Sequence, residues 1–349
     1  MDTIYFRTDS NPVIATGHLM RCLAIADAAK KQRIRSVFLT ADGQSADVLE
    51  SRGYENIVLH SRWDKLEEEI PVLLPLIRNR RIGVLLVDSY GASPEYFAAL
   101  RPCTKTAYID DLGRTEYPCH LLLNYTVYWE KYRYPERYPQ GTELLLGCSY
   151  APLREQFSDP PLKQVSAGVR RILILTGGSD PCHAARSLTE AFLSLPECEG
   201  VSLTVVCGRF SPDLEFLEET ASRRGNLAVL SDVAEMASHL CRADLAVSAG
   251  GTSLYELCAC GTPGISYAVA DNQLDNVAAF ARLGLIDYAG DAREGMAQVC
   301  DACVRLFHRL LPQETRRGRA CAMRALVDGK GSARIVAAIR EWRAGGIEG

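Results

Sequence analysis

A histidine follows a glycine where an apolar strand pattern gives way to a helical one. Residues 15–31 read ATGHLMRCLAIADAAKK, which places His18 on the first turn of the predicted helix. The positive end of a helix dipole disfavours the imidazolium form, and a neutral imidazole can take a proton from water. His18 is therefore a candidate general base, although a histidine held in the turn by ordinary hydrogen bonds is the alternative. Gly17 leaves room for a substrate to approach.

Two charged residues end the strand pattern TIYFRTD that precedes this turn. Arg7 and Asp9 could hold either the histidine or a polar substrate. An arginine and an aspartate two residues apart can equally form a structural ion pair. The sequence leaves both interpretations open.

Two further strand-to-helix turns are rich in glycine. They read LTGGSDP at 175–181 and SAGGTSLYE at 248–256. Glycine allows close backbone approach, and the unpaired N–H groups of a helix start attract phosphate. The candidate phosphate contacts are Gly178, Ser179, Gly251, Thr252 and Ser253. Neither turn fits G-x-G-x-x-G or G-x-x-x-x-G-K-[ST], which disfavours an NAD enzyme or a P-loop ATPase.

Polar side chains near the second of these turns could bind a nucleotide sugar. Glu256 is an acceptor-only group suited to the vicinal hydroxyls of a ribose. Its spacing from Ser253 also fits a capping box, which is the structural alternative. In ADNQLDN, Asn272 and Gln273 could bind a sugar, the alternative being that Asp271 or Asn272 caps a helix.

Apolar strand patterns alternate with helical patterns through both halves of the chain, which predicts an α/β protein with two doubly wound parallel-sheet, Rossmann-like domains. The pattern breaks around residues 125–165, which are rich in tyrosine and proline. We expect a catalytic and sugar-binding domain over 1–150, a linker over 151–168, a second domain over 169–330, and a helix over 331–349 that packs back on the first domain. Ligands of such sheets bind outside the carboxyl ends of the strands, so we expect the domains to face across a cleft that holds the active site.

Composition excludes several classes of protein. The 349 residues carry a net charge of −4, which argues against a nucleic-acid surface. No apolar run is long enough to span a membrane, and the start of the chain does not read as a signal peptide, so we expect a cytoplasmic protein without stable membrane insertion. The 13 cysteines suggest buried thiols. The pairs Cys258/Cys260 and Cys300/Cys303 lack further ligands nearby, which favours packing over metal binding.

The motifs, taken together, resemble known families. SAGGTSLYELCACGTPGISYAVADNQ resembles the nucleotide-binding half of MurG-like GT-B proteins. A second set of motifs resembles, in the same order, the pseudaminic-acid pathway hydrolases, which remove UDP from UDP-2,4-diacetamido-2,4,6-trideoxy-β-L-altrose. These motifs are RTDSNPVIATGHLMRCLAIADA, LLVDSYG, YIDDLGR, LLLG followed by YAPLREQF, LTGGSDP and VDGKGSARIV. The resemblance runs through nearly the whole chain and includes proteins of surface polysaccharide synthesis.

The resemblance implies roles for individual residues. His18 matches the water-activating histidine of G-H-x-x-R-C, and Tyr90 matches a tyrosine near the sugar. Ser89 stands where many relatives have histidine. Glu256 matches the ribose-binding acid, with Asn272 and Gln273 at the sugar and phosphate.

The implied GT-B-like protein would bind UDP in the second domain, over 169–330, and the sugar in the first. It would hydrolyse the UDP-sugar with inversion, without a metal or other cofactor. The Gly178–Ser179 and Ser253 helix starts would stabilise the departing UDP. A MurG-like glycosyltransferase and a non-catalytic nucleotide-sugar-binding protein are the alternatives. The sequence leaves the oligomeric state open.

Overall fold

The structure is a computed structural model that describes residues 3–11, 13–14, 16–138, 141–178, 180–208, 211–231 and 233–344. Ser179, one of the predicted phosphate contacts, lies outside these residues. The chain forms two compact units. The first runs up to Glu155 and resumes at Lys330, and the second is Gln156–Gly329.

Strands and helices alternate along most of the described chain. The strands are β1 (Thr3–Thr8), β2 (Arg35–Thr40), β3 (Glu55–Val58), β4 (Val84–Asp88), β5 (Lys105–Ile109), β6 (Leu121–Asn124), β7 (Glu143–Leu146), β8 (Arg171–Leu175), β9 (Ser202–Val206), β10 (Leu227–Leu230), β11 (Leu245–Ala249), β12 (Gly264–Ala268) and β13 (Ile286–Asp291). The helices are α1 (Gly17–Lys31), α2 (Ala46–Ser51), α3 (Ile70–Arg80), α4 (Pro94–Leu100), α5 (Tyr134–Arg137), α6 (Ala184–Leu193), α7 (Leu214–Arg223), α8 (Met236–Arg242), α9 (Ser253–Cys260), α10 (Asp271–Arg282), α11 (Met296–Leu310), α12 (Gln313–Leu326) and α13 (Gly331–Ala344).

Each unit contains one parallel sheet. The first sheet has the strand order β3-β2-β1-β4-β5-β6-β7, and the second has β10-β9-β8-β11-β12-β13. All of the strand pairs are parallel. In both sheets the order runs one way from the first strand of the unit and then reverses, which is the doubly wound arrangement. The predicted fold class, two doubly wound parallel sheets, is confirmed.

The central strands are apolar because helices cover both faces of each sheet. Every residue of β4, β11 and β12 is buried. Such strands appear in the sequence as continuous apolar runs, which is why they were predictable. β7 and β13 were not predicted, and both are edge strands with partly exposed residues. β7 lies within residues 125–165, where the alternating pattern of the sequence breaks.

Helix α1 is buried on most of its surface because it packs against both the first sheet and α13. It has no proline or glycine after its first residue, and Lys30 and Lys31 in its last turn interact favourably with the helix dipole. Ser332 and Arg334 fasten the start of α13 by donating to the carbonyls of Leu153 and Ser149. These contacts hold α1, and therefore the predicted base on it, in a fixed position on the sheet.

The strand order creates a switch point in each sheet where helices leave in opposite directions. The switch lies between β1 and β4 in the first unit and between β8 and β11 in the second. Loops at the carboxyl ends of such strands are the usual ligand sites of these folds. Over the described residues, no helix is both long enough and apolar enough to cross a membrane.

Candidate functional site

His18 lies on the first turn of α1, at the carboxyl end of β1, and its ring is oriented by an aspartate. Its Nδ1 is 2.6 Å from Oδ1 of Asp88, the last residue of β4. Nη2 of Arg21, which can only donate, also lies 3.0 Å from Nδ1, but the carboxylate oxygen, which can only accept, is closer. The shorter contact assigns the proton to Nδ1 and the lone pair to Nε2. Nε2 is bonded to none of the residues that the structure describes. The ring is thus held in the tautomer that can accept a proton.

Arg21 binds Asp88 from the same helix face as His18. Its Nε donates to Oδ2 at 2.6 Å and its Nη2 to Oδ1 at 2.5 Å, a bidentate pair. The remaining nitrogen, Nη1, donates to Oδ2 of Asp111 at 2.8 Å and to the hydroxyl of Tyr125 at 2.9 Å. Because Asp111 and Tyr125 follow β5 and β6, one guanidinium spans the carboxyl ends of three adjacent strands.

The charges of this cluster keep Asp88 ionised. Burial alone would raise the pKa of Asp88, but the attraction of Arg21 and His18 outweighs it and lowers that pKa below the usual range. Burial likewise opposes the charge of Arg21, but Asp88, Tyr125 and Asp111 together outweigh it, so the pKa of Arg21 is well above its ordinary value. A permanent carboxylate can stabilise the imidazolium that forms when His18 takes a proton. The carboxylate partner of the ring is a feature that the helix start alone did not predict.

Tyr90, which the sequence predicted to lie near the sugar, contacts the ring of His18. The two rings meet edge to face with their centroids 4.4 Å apart, and the Tyr90 hydroxyl is 3.4 Å from Oδ2 of Asp111. Ser89 is nearly buried, and its hydroxyl accepts a hydrogen bond from the N–H of Gly91. Gly17 has no positive φ, and no atom of the described residues lies within 4 Å of the position that a Cβ would occupy. Open space, and not backbone strain, is what this glycine provides.

Arg7 and Asp9 are engaged with other protein groups. Arg7 has no exposed surface, and its guanidinium donates to both oxygens of Glu69 and to Asp9. Asp9 also accepts a hydrogen bond from the N–H of Ala41. These contacts use the donors and acceptors that a substrate would need. The geometry favours the structural ion pair over substrate contact for both residues.

The second unit presents unpaired backbone donors after β11. The N–H groups of Gly251, Thr252 and Ser253 donate to no residue that the structure describes. Ser253 is the first residue of α9, and the side chain of Thr252 before it makes no capping bond. The capping box proposed for Ser253 and Glu256 is therefore not formed, because Ser253 is already helical. Three successive free N–H groups at a helix start are suited to an anion such as phosphate.

Gln273 lies beside this turn. Its Nε2 is 3.9 Å from the position that a Cβ would occupy on Gly251, and its Oε1 accepts from the N–H of Val269. The latter bond orients the amide so that its NH₂ group faces the turn. Helix α10 begins at Asp271 with no side-chain cap, so neither Asp271 nor Asn272 caps it as the alternative had proposed. Asn272 is exposed on the first turn.

Asn276 was missed by the sequence analysis although it fixes the shape of the turn. This buried side chain donates to the carbonyls of Gly250 and Gly251 at 2.9 and 3.3 Å and accepts from the hydroxyl of Tyr255 at 2.9 Å. Turning those carbonyls inward leaves the N–H groups of the turn on its other side. The second asparagine of ADNQLDN, one helical turn after Asn272, was the available signal.

The turn after β8 differs from its prediction. Helix α6 starts only at Ala184, and the N–H groups of Ala184 and Ala185 donate to the two carboxylate oxygens of Asp180. Asp180 is buried, and its burial raises its pKa. The start of α6 is thus occupied by a protein carboxylate, which corrects the expectation that a helix start near Gly178 stabilises a leaving group. Gly178 itself is exposed, and no atom of the residues that the structure describes lies within 4 Å of the position that its Cβ would occupy.

Among the residues described, no group of three or more histidine, cysteine or acidic side chains is arranged to hold a metal ion. Cys258, Cys260, Cys300 and Cys303 are buried, and the last two belong to the apolar core of the second unit. These thiols pack as small apolar side chains.

The fold defines the class of protein to which this chain is similar, the GT-B glycosyltransferase-like structures. The crystal structure of MurG from Acinetobacter baumannii superposes with a TM-score of 0.70 at 13% identity, covering 98% of this chain and 100% of that one. At this identity the likeness concerns the fold alone.

Particular relatives come from comparison of sequences. The spore coat polysaccharide biosynthesis protein SpsG of Bacillus subtilis is 24% identical over 334 residues, which cover 93% of this chain and 94% of the relative. The UDP-2,4-diacetamido-2,4,6-trideoxy-beta-L-altropyranose hydrolase of Campylobacter jejuni is 26% identical over 231 residues, 66% of this chain and 78% of the relative. No family model matches the chain.

Proposed function

We propose that this protein hydrolyses a UDP-linked 2,4-diacetamido-2,4,6-trideoxyhexose to UDP and the free sugar, in nonulosonic acid or surface polysaccharide synthesis. The observation that carries the proposal is the 2.6 Å contact between His18 Nδ1 and Asp88, which leaves Nε2 as a proton acceptor. The similarity to the Campylobacter jejuni hydrolase supports the substrate class, and the similarity to SpsG supports the pathway.

The proposed reaction is a single displacement. Nε2 of His18 takes a proton from a water molecule while the oxygen of that water forms a bond to the anomeric carbon. The bond between this carbon and the phosphate oxygen breaks, and its electron pair leaves with UDP. Attack opposite the leaving group inverts the anomeric centre. Asp88 stabilises the imidazolium and stays ionised because Arg21 holds it. The imidazolium then releases its proton to solvent.

The second unit supplies nucleotide binding in this proposal. The free N–H groups of Gly251, Thr252 and Ser253, with the Gln273 amide, would bind the diphosphate and stabilise its developing charge. Glu256, half-buried on the first turn of α9, would accept hydrogen bonds from the ribose hydroxyls. Asn272 and Gly178 are further proposed ligand contacts, since both are exposed at carboxyl ends of strands. Within the first unit, Gly17 and Tyr90 would border the sugar.

The test is incubation with the UDP-sugar in H₂¹⁸O, followed by NMR and mass spectrometry. We expect UDP release without any acceptor, ¹⁸O in the free sugar and not in UDP, and a first-formed anomer of inverted configuration. Label in UDP would mean attack at phosphorus and would refute the proposed chemistry. Release only after an acceptor is added would identify a glycosyltransferase, the second candidate, which the GT-B fold supports.

His18→Asn should lower kcat roughly 10²–10⁴-fold because a general base contributes about that much. The affinity for UDP should not change. The matched control is His60→Asn, since His60 is exposed and its φ of 53° is one that asparagine adopts readily. A His18→Asn protein that turns over as fast as the control would show that His18 is not the base. Binding of the UDP-sugar without turnover in the unmodified protein would identify a binding protein.

A further inference from the structure

One carboxylate oxygen of Asp111 is buried and has no hydrogen-bond partner in the part of the chain that the structure describes. Oδ2 of Asp111 accepts from Arg21 at 2.8 Å and lies 3.4 Å from the Tyr90 hydroxyl. Oδ1 is shielded from solvent and bonds to none of the residues that the structure describes. An unpaired buried carboxylate oxygen is costly, and such atoms in native proteins ordinarily have a donor supplied by water or a ligand.

Asp111 belongs to the same cluster as the proposed base. Arg21 joins it to Asp88, which orients His18, and Tyr90 joins it to the edge of the His18 ring. Arg21 carries one positive charge against the two carboxylates that it contacts. The cluster therefore has acceptor capacity left over, and that capacity resides on Oδ1 of Asp111.

We propose that Oδ1 of Asp111 accepts a hydrogen bond from the sugar of the substrate and thereby determines specificity. The donor would be a hydroxyl or the N–H of an acetamido group, because an ionised carboxylate can only accept. This inference rests on the proposed function, in which the sugar reacts at His18. A site that pairs a buried polar group with a substrate donor rejects sugars that lack the donor, since the carboxylate oxygen is then left unpaired.

The decisive variant is Asp111→Asn. Arg21 donates to the Oδ2 position, so the asparagine must place its carbonyl oxygen there and its NH₂ group at the Oδ1 position. The contact with Arg21 is kept, while the atom facing the sugar changes from acceptor to donor. Binding is measured by calorimetry in a His18→Asn background, which prevents turnover. We expect the Kd of UDP-2,4-diacetamido-2,4,6-trideoxy-β-L-altrose to rise at least about tenfold and the Kd of UDP to remain the same.

Tyr125→Phe separates sugar contact from a positioning role. It removes the other acceptor of Arg21 Nη1, at 2.9 Å, and leaves Asp111 in place. The measured quantity is the Kd of the UDP-sugar divided by the Kd of UDP. If Asp111 acted only by holding Arg21, both variants would change this ratio alike. We expect the ratio to rise for Asp111→Asn and not for Tyr125→Phe. An Asp111→Asn ratio equal to that of the parent, or matched by Tyr125→Phe, overturns the inference.

The outcomes for this inference and for the proposed function are distinguishable. If the unmodified protein binds the UDP-sugar without hydrolysing it, the proposed hydrolysis is refuted, and the Kd ratio still decides the role of Asp111. If the unmodified protein binds UDP but not the UDP-sugar, both proposals are refuted. If it hydrolyses the UDP-sugar and Asp111→Asn binds as the parent does, only the role of Asp111 is refuted.

Discussion

Replacing Asp88 by asparagine should disable the proposed base and destabilise the first unit. Asp88 accepts from His18 Nδ1 and from two nitrogens of Arg21. An asparagine has one carbonyl oxygen and one NH₂ group, so it cannot satisfy all three donors. If the NH₂ group faces His18, the ring must carry its proton on Nε2 and can no longer accept one from water. If it faces Nε of Arg21, a buried donor is left opposite another donor.

The magnitudes follow from these two arrangements. A histidine base in the wrong tautomer loses up to about 10⁴ in kcat, and the general range for this kind of catalysis is roughly 10²–10⁴. Breaking a buried ion pair costs about 3–5 kcal/mol in the free energy of unfolding. Arg21 keeps Asp111 as a second counter-ion, so we expect a loss of about 3 kcal/mol. The affinity for UDP should not change.

The same substitution has a signature in the pH dependence of stability. The pKa of Asp88 is lower in the folded protein than in the unfolded chain. Its contribution is therefore fully present above the unfolded carboxylate pKa of about 3.9 and is lost as the pH falls through the folded value. The Asp88→Asn protein lacks this carboxylate and therefore lacks its share of the stability lost in acid. Below about pH 4 its free energy of unfolding should fall less steeply than that of the unmodified protein.

The assays are turnover of the UDP-sugar and urea unfolding at several pH values. Asp64→Asn is the matched control, since Asp64 is an exposed carboxylate paired with Arg62 on the surface. We expect that control to change the free energy of unfolding by no more than about 0.5 kcal/mol. An Asp88→Asn protein with the kcat and stability of the control would refute the argument that Asp88 orients His18 and pairs with Arg21.

Two further predictions concern other parts of the molecule. Arg7→Met leaves the fully buried Glu69 without its cation and should lower the free energy of unfolding by about 3–5 kcal/mol, with no effect on UDP affinity. The measurement is urea unfolding, and a transition with unchanged midpoint and slope would contradict the prediction. Asn276→Ala removes the amide that holds the carbonyls of Gly250 and Gly251 and should weaken UDP binding about tenfold; an unchanged Kd by calorimetry would show that the turn keeps its shape without it.

Much of the fold was predictable from local patterns. Buried central strands such as β4 and β11 consist of continuous apolar residues, and these are visible without any tertiary information. The edge strands β7 and β13 are partly exposed, and the sequence did not predict them. The turns that carry glycine and His18 were also visible, because glycine and a helix start are local features.

The partners of the candidate base depended on the tertiary structure. Asp88 and Asp111 lie 67 and 90 residues from Arg21 along the chain, and only the parallel order of β4 and β5 next to β1 brings them together. Likewise the sequence left two roles open for Arg7, and its complete burial against Glu69 favours one of them. Residue types and local spacing thus indicated which chemistry was available. The sheet topology decided which side chains come together in one site, because the carboxyl ends of strands distant in sequence meet at one edge of the sheet.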